Sequence, residues 1–306
     1  PAIFGMSQDI SERLLAEERQ RLATSVFDNA HEGIMITNAQ GIIIEINSTF
    51  CELTGYSREE AVGHTADLLK SGHHDTDFYK TMWATIRSVG YWRGEVWNRK
   101  KSGEIFVELL TISSVRNPSD EITHFVAIFS DITQIKQHQQ HLEHLAHFDA
   151  LTQLPNRILL ADRLQLSMAQ TEREQKMLAV CYLDLDGFKP VNDQYGHAAG
   201  DRMLIEVAQR LRQCVRAGDT VSRLGGDEFV LLFAGVGDIH ECDHAVSRVL
   251  TALAAPFAIS GNSIVISASI GVTLFPVDGS DADALLRHAD QAMYTAKQAG
   301  RNRFHL

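Results

Sequence analysis

The sequence predicts an α+β protein of two medium domains joined by a short helical rod. Three observations lead there. The chain has 306 residues, about twice the content of a typical single domain. Its first half runs strand pair, helices, strand triplet, the order of helices laid on one antiparallel sheet. Its second half opens helix-rich near residue 149 and then delivers apolar β-type runs that end in acids. With 44% hydrophobic and 22% charged residues and only 6 prolines, the chain can bury sizeable cores and reads as neither disordered nor fibrous.

The elements follow in order. Ala2-Ile3-Phe4 leading to Asp9-Ile10-Ser11 echoes Ala127-Ile128-Phe129 leading to Asp131-Ile132-Thr133, and each copy runs on into a polar, helix-favouring segment. Leu15 and Leu22 stand a heptad apart, as do Ile135 and Leu142, with Leu145 following. That spacing suits a short parallel coiled coil, and an amphipathic surface helix fits the same residues. Residues 1–20 are expected to be a signalling helix at the tail of an upstream module, and 134–148 a helical linker. Between them, residues 33–37 and 42–46 flank a polar turn and read as a hairpin. Helical patterns follow at 48–53, 57–62 and 78–89. Residues 92–99, 105–115 and 123–129 then read as three strands, separated by turns at Lys101-Ser102-Gly103 and Asn117-Pro118-Ser119.

In the second half, 178–183 reads as a strand ending in Asp184-Leu185-Asp186. A rigid strand that delivers acids at its end fixes carboxylates for a metal. Residues 221–224 and 229–233 read as strands around Gly225-Gly226-Asp227-Glu228, where Gly-Gly permits backbone angles or a close ligand approach that side chains would block. Taken alone, the same four residues also suit a solvated acidic turn. Leu204, Val207, Ala208, Leu211 and Val215 follow Asp201 at helical spacing, which makes Asp201 a candidate N-cap. Lys297 and Arg301 lie four apart around the end of a helix running from near Ser280 to Gly300, so they can face one ligand or form a solvated cation pair.

Charge and cysteines bound the function. A formal net charge of −11 excludes a broadly basic surface for unspecific nucleic-acid binding, so a phosphate ligand has to be held locally by metal or a few cations. No apolar run approaches the roughly 20 residues of a bilayer span. Cys51, Cys181, Cys214 and Cys242 are scattered, which fits free thiols in a reducing compartment and makes the cytoplasm the expected location. A chain that opens on Pro1 without a secretory leader is expected to begin inside a longer reading frame or after processing.

Residues 21–133 resemble a PAS sensor domain. The resemblance rests on Gly33-Ile34-Met35-Ile36-Thr37, Asn47, Leu53-Thr54-Gly55-Tyr56, Glu59-Glu60 with Val62-Gly63, Trp92 and Gly94, Asn98-Arg99, and the terminal Asp131-Ile132-Thr133. It implies an antiparallel sheet with helices, a ligand pocket between them, dimerisation, and output through the following helix. An empty or small-ligand pocket is the first expectation. Trp92 and Asn98 resemble the contacts of some flavin-binding PAS domains, so FAD is a second, its isoalloxazine edge meeting the amide. His64, His73 and His74 lie where haem-binding PAS domains carry an iron ligand, and haem is a third. Cys51 reads as a small buried residue, and Trp83, Trp92 and Trp97 suit core or interface as well as a cofactor.

Residues 149–306 resemble GGDEF-domain diguanylate cyclases. Gly225-Gly226-Asp227-Glu228-Phe229 is the signature, and its companions occur in order: Asp149 to Arg157, Asp184-x-Asp186-x-Phe188-Lys189 with Asn192-Asp193, Gly196-His197 with Gly200-Asp201, and Ala292-Met293-Tyr294 through Arg301-Asn302. Gln153 replaces a usual glycine, and Gly187 stands where a larger residue is common. The resemblance implies a central, mostly antiparallel sheet flanked by helices and like that of nucleotidyl cyclases, and conversion of two GTP to cyclic di-GMP across a homodimer. It implies two ions of Mg2+ or Mn2+ held by Asp184, Asp227, Glu228 and the carbonyl of Leu185, with Asp227 or Glu228 assisting proton removal. Amides near Gly187 and Phe188 would cradle phosphate beside Lys189, Lys297 and Arg301, and Asn192 and Asp201 would read guanine. Arg216-Ala217-Gly218-Asp219 matches the RxxD product-inhibition site, and a salt-bridged turn is its plainer reading. A receptor for GTP or cyclic di-GMP that regulates a partner is the alternative function.

Overall fold

The structure, a computed structural model, describes residues 2–259 and 261–306, with side chains described from residue 14 onward except 16, 140 and 260. It divides into two compact units, Pro1–Gln140 and His141–Leu306.

In the first unit α1 (Ala2–Asp28) is followed by β1 (Gly33–Asn38), β2 (Ile43–Ile46), α2 (Ser48–Thr54), α3 (Arg58–Ala61), α4 (Thr76–Val89), β3 (Tyr91–Arg99), β4 (Ile105–Arg116) and β5 (Ile122–Asp131), and α5 (Thr133–His147) comes next. The strands form one antiparallel sheet in the order β2-β1-β5-β4-β3. Phe50 of α2 and Ile86 of α4 are buried with Phe106 and Phe129 of the sheet.

Two motif residues explain themselves as fasteners. Asn47 is buried; its Oδ1 accepts from the amides of Ile34 and Phe50 at 2.9 Å, and its Nδ2 donates to the carbonyls of Phe27 (3.1 Å) and Glu32 (2.9 Å). One amide thus caps α2 and ties β1 to the end of α1, with its hydrogen-bonding capacity filled. At the other end of the sheet, Asp131 Oδ1 accepts from Thr133 N and Thr133 Oγ1 accepts from Val107 N of β4, both at 2.9 Å. The start of α5 is therefore bolted to the sheet.

The two echoed triplets fold differently: Ala2-Ile3-Phe4 is helical, whereas Ala127-Ile128-Phe129 lies in β5. The second copy is a strand because β1 and β4 flank it with ladder partners. Helix α1 covers residues 2–20 and continues to Asp28. The heptad residues Leu15, Leu22, Ile135, Leu142 and Leu145 are all exposed. Among the described residues no helix is long and apolar enough to cross a membrane.

The second unit contains α6 (Arg157–Glu174), β6 (Met177–Asp186), α7 (Phe188–Tyr195), α8 (His197–Gln213), β7 (Thr220–Gly225), β8 (Glu228–Val236), α9 (Ile239–Ala254), β9 (Phe257–Ile259), β10 (Asn262–Ile264), β11 (Ser267–Phe275), α10 (Ala282–Gln298) and β12 (Arg303–His305). The main sheet runs β12-β11-β6-β8-β7, antiparallel except for β11 with β12. Strand β6 is apolar at nearly every position because both its faces are covered. Leu178, Val180 and Tyr182 pack with Leu160 and Leu164 of α6 and with Leu285, Ala289 and Met293 of α10. Ala179, Cys181, Leu183 and Leu185 pack with α8 and α9 residues such as Val207, Leu211 and Val246.

Helix α10 sits directly on β11 at Gly271, where a Cβ would overlap the backbone at Ala289 and Met293. Only glycine permits that approach. Gly271→Ala is expected to cost about 3 kcal/mol or push α10 outward, read as a lower thermal midpoint. An unchanged midpoint would remove this contact from the account of how α10 is placed.

Candidate active site

The chemistry-bearing residues gather at the C-terminal end of β6. Alternation puts Tyr182, Asp184 and Asp186 on the face toward α10. Asp184 Oδ1 lies 2.7 Å from Lys297 Nζ on the last turn of α10. Asp184 is register-paired with Glu228 at the start of β8, and Leu185 N donates to the carbonyl of Asp227 at 3.3 Å. Burial pushes the Asp184 carboxyl up, the Lys297 ammonium draws it back, and the charges of Asp227 and Asp186 push it up again. The strand end is thus a half-dry cluster of acids offset by one lysine.

Neighbouring side chains hold this cluster in shape. The carboxylate of Glu228 sits beside the Tyr182 phenol, which burial pushes well above its usual range, with Glu228's charge and hydrogen bond adding. The phenol therefore keeps its proton and can donate to Glu228. Asp186 braces the backbone instead. Its Oδ1 accepts from Ser269 Oγ (2.8 Å), and its Oδ2 accepts from Ser267 Oγ (2.7 Å) and Asn302 N (3.1 Å). Arg301 Nε is 3.8 Å from Asp186 Oδ1. Arg301 and Asn302 adopt left-handed φ values of 60° and 49°, a cost of about 1 kcal/mol each. Asp186 holds that bend and so brings Arg301 to the same strand end as Lys297.

The turn between β7 and β8 has φ 148° at Gly225 and 51° at Gly226. Its carbonyl anchor is Arg223, a residue outside every motif read from the sequence. Arg223 is 8% exposed; its Nε and Nη2 donate to the Gly226 carbonyl at 3.1 and 2.8 Å, and its Nη1 donates to Asp149 Oδ1 at 2.8 Å. Thr152 donates to the same oxygen from N (2.8 Å) and Oγ1 (2.5 Å). The signal for it is a charge in the middle of a short β-run, two residues before Gly225. Asp149 thus serves the signature turn through Arg223, 74 residues away in sequence. Gln153, in place of the usual glycine, takes φ 56°, and its Nε2 donates to the Ala150 carbonyl at 2.8 Å.

Just past the end of β6, Gly187 is the N-cap of α7, Phe188 is buried and Lys189 is exposed. Asn192 Oδ1 lies against Gly200 of α8, the neighbour of exposed Asp201. Asp201 is not an N-cap, because α8 begins at His197 with Gly196 as its cap. At the RxxD tetrad, Asp219 closes the turn: Oδ2 accepts from Arg216 N (2.8 Å) and Oδ1 from Ala234 N (3.1 Å). Arg216 projects from it, exposed, with Nη1 3.3 Å from Glu241 Oε1.

In the first unit a cavity of about 490 Å³ lies against the sheet and is lined by Asn98 and Trp83, among others, but not by Trp92. The Trp92 ring instead covers Gly94 and meets Phe78 edge-to-face. His64, His73 and His74 also lie outside the lining. His73 stacks on Trp97 and His74 on Phe78. Neither the haem reading nor the tryptophan contact for flavin has a residue in place. Cys51 is half-buried; Cys181, Cys214 and Cys242 are buried, and all four are free thiols.

Does this strand end suit a divalent metal? Among the described residues no three His, Cys, Asp or Glu side chains are gathered closely enough to hold an ion by themselves. The donors on offer, carboxylates of Asp184, Asp227 and Glu228 with peptide carbonyls between them, are hard oxygens suited to Mg2+ or Mn2+. Lys297 against Asp184 marks a position that attracts positive charge. The residues fit the group in chemistry.

Residues 146–303 match the family model described as diguanylate cyclase, GGDEF domain, and residues 31–134 match a PAS domain model. The bifunctional diguanylate cyclase/cyclic di-GMP phosphodiesterase MucR of Pseudomonas aeruginosa is 49% identical over 154 residues, 50% of this chain and 22% of that protein. The cyclic di-GMP phosphodiesterase PdeR of Escherichia coli is 32% identical over 284 residues, 92% of this chain and 42% of that one. The diguanylate cyclase TpbB of Pseudomonas aeruginosa is 39% identical over 154 residues, 50% of this chain and 35% of that protein. The crystal structure of its GGDEF domain superposes with a TM-score of 0.50 at 38% identity, covering 51% of this chain and 97% of that one. The chain spans less than half the length of each of these three proteins.

Proposed function

Because the chain belongs to the GGDEF diguanylate cyclase domain family and carries a PAS domain ahead of that domain, we propose that it is a sensor-regulated diguanylate cyclase. It joins two GTP into cyclic di-GMP and releases two pyrophosphates, in the cytoplasm where GTP is made. The observation that carries this reading is the meeting of Asp184, Asp227, Glu228 and Lys297 at one strand end. Each ribose 3′-oxygen attacks the α-phosphorus of the other GTP, the bond to pyrophosphate breaks, and the hydroxyl proton passes to a carboxylate, Asp227 or Glu228, and on to water.

Asp184, Asp227, Glu228 and the Leu185 carbonyl would hold Mg2+ or Mn2+, which when bound neutralises phosphate charge and acidifies the hydroxyl. Lys297, Arg301 and Lys189 hold the triphosphate, with the amides of Gly187 and Phe188 at the start of α7. Asn192 and Asp201 read the guanine edge, the carboxylate taking N–H donors. Tyr182 orients Glu228 by donating to it.

Chemistry across two copies requires a homodimer. The exposed heptad residues of α1 and α5 supply apolar seams suited to a parallel pair, and PAS occupancy would shift how often the half-sites meet. Incubating the full chain with GTP and Mg2+ should yield cyclic di-GMP, quantified by chromatography. A dimer that binds GTP yet forms none would instead be a nucleotide receptor. That second reading draws support from the likeness to the cyclic di-GMP phosphodiesterase PdeR over 92% of this chain. For product control, Arg216 is the arm that forks onto phosphate while Asp219 keeps the turn closed. Arg216→Ala is expected to raise the cyclic di-GMP concentration for half-inhibition about tenfold, the worth of one charge-assisted contact, with initial velocity unchanged. Undiminished inhibition would leave the tetrad an ordinary turn.

A further inference from the structure

Glu108 is the most unusual buried group in the first unit. It stands on β4, 2% exposed. Asn98 Nδ2 of β3 donates to its Oε1 at 2.9 Å, while Oε2 has no hydrogen-bond partner among the described residues. A buried polar atom without a partner is costly and rare, and one that also faces a cavity is placed to meet a ligand there. Glu108 lines the cavity of about 490 Å³, a size within the range of small-molecule sites. The rest of the wall is mainly apolar, with Met35, Leu69, Met82, Leu110 and Phe125 prominent. The cations that also line it, Lys70 and Arg87, are exposed, so water screens them as it cannot screen Glu108.

We propose that this cavity binds a compact ligand with an apolar body and a cationic nitrogen head of amidinium or guanidinium type, whose N–H groups satisfy Glu108 Oε2 and reach Oε1 beside Asn98. The shape of the site favours this head over an anion. An anion could take one donor at most, from a protonated Glu108, whereas a planar cation offers aligned donors to both oxygens of the carboxylate. Burial pushes the Glu108 carboxyl up to about 8, with Asn98's hydrogen bond lowering it and the charge of Asp131 raising it. With no cation beside it the group stays largely protonated at neutral pH, and the arriving head draws it to the carboxylate, the proton leaving to solvent.

Three probes of one shape test the proposal on the full chain: benzamidine, benzamide and benzoate, titrated calorimetrically at neutral pH. Benzamidine is expected to bind at least tenfold tighter than benzamide, and benzoate not to bind. Glu108→Gln, which keeps an oxygen for Asn98, is expected to lower benzamidine affinity at least tenfold. The wild-type ranking alone decides the matter should the variant fold poorly. Equal affinity for the three probes, preference for benzoate, or no saturable benzamidine binding would each overturn the proposal, as would a well-folded Glu108→Gln protein that binds benzamidine as tightly as wild type. None of these readouts depends on cyclase activity, so they stand apart from the catalytic reading.

Discussion

Asp227→Asn is expected to lower cyclic di-GMP formation by about a thousandfold, because a carboxylate that helps hold divalent charge at a phosphate contributes several kcal/mol to the transition state. GTP binding should fall far less, since Lys297, Arg301 and the start of α7 remain. The thermal midpoint should stay near wild type, because Asp227 is half-buried at a turn and its backbone carbonyl, not its side chain, accepts from Leu185. The variant also removes one of the like charges that push up the Asp184 carboxyl, so the folded protein loses repulsion along with function. The informative measurement is therefore a split: turnover by product chromatography against GTP affinity by calorimetry. Turnover within about tenfold of wild type, less than one lost ionic contact would cost, would take this carboxylate out of the chemistry.

How much of the molecule is legible in sequence depends on the range of the interactions. The hairpin, the three long strands of the first unit and the strand ending at Asp186 announce themselves through local periodicity and turn residues, and they stand within a few residues of where the pattern places them. The meeting of residues near 184, 227 and 297 requires a resemblance, because nothing local in an acidic turn or a helix-end lysine says which strand it faces. Three features escape such reading. The placement of α10 depends on Gly271 in β11, a strand that carries none of the motifs. Asp186 reads as a metal-site acid, yet it spends its oxygens on Ser267, Ser269 and Asn302, partners no spacing rule connects. Trp92 reads as a cavity contact, but its ring folds over Gly94 toward Phe78 while Asn98 lines the cavity. These differences share a cause: they concern which side chains meet across long sequence separations or which way a large ring turns, and neither is written in local pattern.

The same reasoning gives Arg223→Met a large expected effect on stability. The guanidinium is almost wholly buried and joins two groups through three hydrogen bonds, the Gly226 carbonyl twice and Asp149 once. Removing it leaves a turn carbonyl and a carboxylate without their cation, a loss of about 3 kcal/mol. For a unit of this size that corresponds to about 10 °C in thermal midpoint. Burial alone would raise the Asp149 carboxyl, but hydrogen bonds from Thr152 and the Arg223 guanidinium outweigh it and hold it below its usual range. A depressed carboxyl contributes stability that is present above its unfolded value, near pH 4, and disappears as pH falls through the folded value. Wild type should therefore lose this increment on acidification, and Arg223→Met, with less of it to lose, should show a shallower decline. Arg223→Lys reaches one acceptor in place of three contacts and should recover only a minor part. Because the same guanidinium fixes the carbonyl of Gly226, one residue before Asp227, turnover should fall in Arg223→Met even below its unfolding temperature. A variant as stable as wild type, with the same acid profile, would mean that the turn is held by its own backbone and that Asp149 serves some other purpose.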